Sequence, residues 1–127
     1  MIGSVWPRAL VAAAVAVLLL SGASKGEAAG ALAIGNCAAY GYAFDYRQLP
    51  AAQSEAMRKC TGAKCRLVAS MKRSCAAFAI DGRNSCGAQG YAVAPKLGQA
   101  QNVALQSYYK FGGRDCVIRA WACDVKG

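Results

Sequence analysis

The sequence predicts an α+β domain: an antiparallel sheet with two helices, built from two β-α-β pseudo-repeats and stapled by disulfides. Three observations carry this. First, the chain repeats itself: Cys37 to Ala43 reads C-A-A-Y-G-Y-A and Cys86 to Ala92 reads C-G-A-Q-G-Y-A, five of seven positions matching at a spacing of 49. Second, each copy passes from a strand-like alternation to a helical stripe and back to a strand. Third, seven cysteines follow residue 36 in a chain of 127 residues, short enough for one domain and a modest core.

The N-terminus reads as an address. Arg8 precedes an unbroken apolar run of twelve residues, Ala9 to Leu20, and Ser21-Gly22-Ala23 follow. A positive start, a short apolar stretch and small residues form the pattern of a secretory signal peptide. The expectation is a signal peptide over 1–23, with cleavage as late as 31, a flexible segment over 24–30 and the domain over 31–127. The run is too short for a spanning helix, so no transmembrane anchor is expected after processing. Ser24 stands where a lipid-modified cysteine would be needed. Export places the cysteines where disulfides persist.

The first copy opens with an extended segment from Ala31 to Tyr46, in which Tyr40, Tyr42, Phe44 and Tyr46 alternate onto one face and are expected to pack in the core. Asn84 to Ala94 repeats it. Gly41 and Gly90 mark a bend, a bulge or a close backbone approach. Pro50 suits the first turn of a helix, whose stripe is Ala52, Ala56, Met57 and Cys60. Ala100, Ala104, Leu105 and Tyr108 repeat the stripe, and its alanines predict helices lying close on the sheet. Gly62 and Gly112-Gly113 end the helices. Strands return from Cys65 to Lys72 and from Cys116 to Cys123. Ala76 to Ile80 reads as one further strand between the copies, turning at Asp81-Gly82.

Cysteine pairing follows from the repeat. Cys60 and Cys65 are separated by four residues across a helix-to-strand turn, which suits a local bridge. Cys116 matches Cys65, but Tyr108 stands at the position of Cys60, which leaves Cys116 as the candidate free thiol. Cys37 with Cys86, and Cys75 with Cys123, are read as repeat-equivalent pairs that sew the copies together. Each would close a loop worth roughly 4 kcal/mol, against roughly 2 for Cys60–Cys65.

This assembled pattern resembles the secreted bacterial proteins that carry domain of unknown function 4189. The matching pieces are the G-Y-A strand, the A-x-x-x-A-M-x-x-C helix from Ala52 to Cys60, Cys65-Arg66-Leu67-Val68, Cys75-Ala76-Ala77-Phe78-Ala79, the A-x-x-x-A-L of Ala100 to Leu105, and Trp121-Ala122-Cys123. The resemblance spans about residues 30 to 125. It implies export and a disulfide-rich α+β repeat domain, and brings no reaction, cofactor or catalytic residue. It also implies a second helix cysteine where this chain has Tyr108, and marks Cys37 and Cys86 as an addition to the common pattern.

Composition narrows the function. Histidine is absent, which removes the commonest general base and every Ser-His-Asp or Cys-His arrangement. Without histidine or a C-x-x-C pair, no metal site is expected. The six carboxylates form no recognisable acid pair, and Asp81 reads as a turn residue. No catalytic residue and no cofactor are assigned. Fifteen Lys and Arg face those six acids, and removing residues 1–23 takes only Arg8, leaving a formal charge of +8. Such a charge favours anionic partners: an acidic polymer, an anionic lipid surface or an acidic protein. Nucleic acid is not expected outside the cell. With Cys65 aligned to Cys116, strand alternation gathers Arg66, Lys72, Arg119 and Trp121 into a candidate binding patch, while Leu67, Ala69, Met71, Ile118, Ala120 and Ala122 face the core. The expected function is an exported, non-enzymatic binding module for an acidic envelope component or protein. The alternative is a secreted inhibitor or host-directed factor docking on one protein; a small hydrolase comes last.

Overall fold

Alternation of small and large residues builds two central strands. Ala31-Leu32-Ala33-Ile34 and Ala77-Phe78-Ala79-Ile80 follow the same rule, and in each the alanines point one way and the bulky residues the other. The computed structural model describes residues 28–124; the expected signal peptide lies outside the described residues. The elements in order are β1 (Ala29–Ile34), β2 (Tyr40–Tyr46), α1 (Leu49–Lys59), β3 (Arg66–Lys72), β4 (Cys75–Asp81), β5 (Gln89–Ala94), α2 (Leu97–Lys110) and β6 (Cys116–Cys123).

The strands form two antiparallel sheets, β2-β1-β3 and β5-β4-β6. Leu32, Ile34 and Met71 of the first pack against Phe78, Ile80 and Ala120 of the second. On the outer faces, Ala31, Ala33 and Ala43 pack against Ala52 and Ala56 of α1, and Ala77, Ala79 and Ala92 against Ala100, Ala104 and Tyr108 of α2. The order is thus helix, sheet, sheet, helix. The alanine faces let each helix settle onto its sheet. A Cβ on Gly41 would stand 2.2 Å from the Ala56 carbonyl oxygen, and one on Gly90 2.4 Å from that of Ala104. Of the three readings offered for these glycines, close backbone approach is the one that holds.

Several expectations are corrected. The α+β class and the disulfide staples stand, but each half is β-β-α-β, and there are two sheets instead of one. The segment from Ala31 to Tyr46 is broken by a tight turn, with Cys37 at φ 56° and Ala38 at φ 66°. The strand at Ala76 to Ile80 does not lie between copies; as β4 it is the counterpart of β1. The flexible segment expected through residue 30 and the domain start at 31 give way, because Ala29 and Gly30 belong to the buried strand β1. Met57 leaves the expected helix stripe, since only Ala52 and Ala56 of α1 are fully buried.

Where the chain passes from the first half to the second, a buried carboxylate holds the turn. Asp124 is fully enclosed and accepts hydrogen bonds from the backbone N–H groups of Arg73 (2.8 Å) and Ser74 (3.3 Å). Arg73 sits at φ 53° there. Burial pushes the Asp124 carboxyl above its ordinary range, against the pull of those donors.

Candidate functional site

Three disulfides frame the halves, joining Cys37 to Cys86, Cys60 to Cys65 and Cys75 to Cys123. Cys60–Cys65 is the expected local bridge and Cys37–Cys86 the expected link between halves, while Cys75–Cys123 has a different role. Cys37 lies in the β1–β2 turn and Cys86 in the β4–β5 turn, so this bridge does link equivalent points of the two halves. Cys75 and Cys123 sit opposite each other on adjacent strands of the second sheet. That bridge staples one half internally. Cys75 corresponds to Ala29, and Cys123 to Lys72, which are partners in the first sheet.

Cys116 is half-buried and has no disulfide partner. Burial pushes its thiol up, with the charge of Asp81 adding to the effect, so the less nucleophilic protonated form is held. Tyr108 fills the place of the missing cysteine. It is fully buried, the backbone of Gly113 packs on its ring, and its hydroxyl donates to Asp81 Oδ2 at 3.0 Å. Asp81 Oδ1 accepts from the backbone N–H groups of Arg83 and Asn84, which makes it the turn residue expected. The Arg83 bond is the main cause of its lowered pKa, with Tyr108 assisting. Gly41 meets the backbone nitrogen of Cys60 as Gly90 meets that of Tyr108, so the two positions are equivalent in space. Tyr108→Cys is therefore expected to form a bridge to Cys116. Thiol titration in denaturant should fall from one reactive group per chain in the parent to none in the variant, and two reactive thiols in the variant would refute the equivalence.

The four residues of the predicted patch do not come together. Arg66 and Lys72 stand at opposite ends of β3, six residue steps of about 3.3 Å apart, roughly 20 Å. β3 and β6 are edge strands on opposite sides of the molecule: β6 lies beside β2, and β3 beside β5. Strand parity also fails. The pairing register skips Val68 in β3 and Arg119 in β6, a bulge at the same place in each half. Consequently Ile118 packs toward α2 while Ala120 faces the other sheet, and Leu67 turns out beside Met57, 41% exposed, instead of facing the core.

What the structure assembles instead is a cleft of about 490 Å³ along the β2–β6 seam. Tyr40, Tyr42 and Phe44 line one wall, Arg119 and Trp121 the other. The rings of Tyr40 and Tyr42 stack at 6.0 Å and 2°, and those of Tyr42 and Phe44 at 5.9 Å and 22°. The guanidinium of Arg119 lies over Tyr40, 5.2 Å from the ring centre, close enough for a cation–π contact of about 0.5–1 kcal/mol. That contact orients the guanidinium and leaves N–H donors for a ligand. Trp121 is 53% and Phe44 44% exposed.

The aromatic stripe was expected in the core. Only Tyr40 and Tyr42 pack against the core between the sheets, both half-buried. Tyr46 leaves the stripe because β2 bulges after Ala43, with Asp45 at φ 60°, and its ring turns to the α1 side. The sequence signal for the cleft was the replacement of Tyr40 and Phe44 by Gln89 and Val93 in the second copy, which marks the first copy's aromatics as more than symmetric packing. Among the described residues no group of three His, Cys, Asp or Glu side chains is placed to hold a metal. No described helix is long and apolar enough to cross a membrane.

Fold and cleft together define a class: a small α+β domain of two similar halves, disulfide-stapled, with an aromatic and basic groove at the seam of its sheets. The chain belongs to the family described as domain of unknown function (DUF4189), whose model matches residues 29–123, from the start of β1 to the end of β6. No curated protein and no solved structure matches it.

Proposed function

We propose that this protein is an exported, non-enzymatic binding module that engages an acidic envelope component through the β2–β6 cleft. The observation that carries this reading is the convergence of three stacked rings, a ring-oriented guanidinium and a half-exposed tryptophan in one groove. No acidic side chain lines that groove among the described residues. Its volume falls in the range of ligand sites, which are mostly apolar with a few convergent polar groups. The signal-peptide pattern of residues 1–23 and the three disulfides support work in an oxidising compartment. A formal charge of +8 after loss of residues 1–23 speeds encounter with anionic partners.

The test is retention on envelope fractions of the native cell. The protein is expected to bind at about 0.1 M salt and to be released toward 1 M, as the Debye length falls from roughly 10 to 3 Å. Arg119→Gln with Trp121→Ala should weaken retention at least tenfold without changing thermal stability by more than a few degrees. Retention indifferent to both salt and these substitutions would reject the reading.

A further inference from the structure

The second seam of the sandwich carries its own site. Along β3 and β5, Arg66, Gln89, Tyr91, Ser107 and Phe111 line a cleft of about 460 Å³. Phe111 is 72% exposed and Tyr91 37%. The Gln89 side chain donates to the Gly35 carbonyl at 3.3 Å, which fixes one end of the cleft against β1. As in the β2–β6 cleft, one arginine stands among aromatic rings, and no acidic residue lines the wall among the described residues. Neither Arg66 nor Arg119 forms an ion pair among the described residues.

The likeness is not inherited from the repeat. Tyr91 matches Tyr42, but the arginines do not match each other: Arg119 corresponds to Val68, and Arg66 to Val117, two residues earlier on its strand. Phe111 comes from the end of a helix three residues longer than its counterpart. The same chemistry has thus been assembled at two seams from different positions. Leftover symmetry does not produce that, whereas a shared ligand does.

We propose that the protein is bivalent, and that both seams bind units of one acidic polysaccharide. This rests on the reading of the β2–β6 cleft as a ligand site. The two clefts lie on opposite edges, so one planar lipid surface cannot face both. A bound peptide would add a strand to a free sheet edge, but three of the four edge strands are blunted by bulges, at Val68, at Arg119 and after Ala43, and the fourth, the regular β5, lies beside β3. Recognition by side chains remains. Rings cover the apolar faces of sugar units, the guanidinium pairs with a carboxylate, and tyrosine, glutamine and serine groups meet hydroxyls. A repeating chain presents that same unit to both seams.

Titration calorimetry with a triuronate tests this on the disulfide-intact protein. Two sites per chain are expected. Arg66→Gln with Phe111→Ala should leave one, as should Arg119→Gln with Trp121→Ala. For long polyuronate either pair should lower affinity at least tenfold, since tethering of a second site commonly raises avidity by about 10²–10⁴. A single site in the parent, or no change with the Arg66 and Phe111 substitutions, overturns bivalency while leaving the envelope-retention result intact. Binding to hexaglutamate or to phosphatidylglycerol vesicles in place of uronates overturns the glycan class, as does binding to none of the probes.

Discussion

Replacing either Gly41 or Gly90 by alanine is expected to destabilise the domain by about 3 kcal/mol or more, among the largest effects of any single methyl group in this chain. The reason is local and steric. A Cβ at Gly41 would lie 2.2 Å from the Ala56 carbonyl oxygen and 2.5 Å from the Cys60 nitrogen; at Gly90 the corresponding contacts are 2.4 Å to Ala104 and 2.5 Å to Tyr108. The obstacles are backbone atoms of a helix, so no side-chain rotation relieves them. The helix must lift, and the alanine contacts beneath it open together. For a domain of about 100 residues, 3 kcal/mol corresponds to a fall in Tm of roughly 12–24 °C. Gly98→Ala is the control: nothing lies within 4 Å of its Cβ position, and it sits in the first turn of α2. It should be neutral or stabilising by up to about 1 kcal/mol. Equal, small effects at all three glycines would refute the close helix–sheet contact.

Removing the Cys75–Cys123 bridge by Cys75→Ala with Cys123→Ala is expected to cost about 4 kcal/mol in the chain-entropy model, for a loop spanning 48 residues. A domain of this size has only about 5–15 kcal/mol in total. The bridge joins the first and last strands of the second half, so its loss frees β6, which forms one wall of the aromatic cleft. Urea unfolding should show a lower midpoint, and ligand retention should weaken with it. A midpoint equal to that of the parent would show that β-sheet pairing alone holds β6 in place.

Both expectations bear on what was legible beforehand. The glycines were visible as repeated positions beside strand-period residues, and the alanine stripes pointed to close helices. The cysteine pairs followed from matching the copies and from the one unmatched position, Tyr108. Yet Cys75 and Cys123 are not repeat-equivalent ends of the two copies: Cys75 opens β4. The G-Y-A motifs repeat at a spacing of 49, whereas Ala31-Leu32-Ala33-Ile34 and Ala77-Phe78-Ala79-Ile80 repeat at 46, offset by the longer second hairpin. A difference of three residues in a turn concealed the counterpart of β1.

The candidate site was less legible. Strand parity points to Arg119 and Trp121, which both line the cleft, but it joins them to Arg66 and Lys72 only when carried across a bulge. Parity is a local rule, and one extra residue in an edge strand reverses it. The aromatic stripe is legible as one face of a strand and reads as core, because a strand's alternation tells which residues share a face but not whether another sheet covers it.

The sequence by itself determined the class, the repeated glycines and alanine stripes, the helices and the cysteine partners, since these depend on periodicity and on matching positions within one chain. Only the tertiary structure decided that the strands divide into two sheets, that β6 lies beside β2 and β3 beside β5, and that bulges turn Arg119 into an aromatic seam. Those outcomes depend on which faces meet after the chain has folded back, and contacts between distant segments leave no period in the sequence.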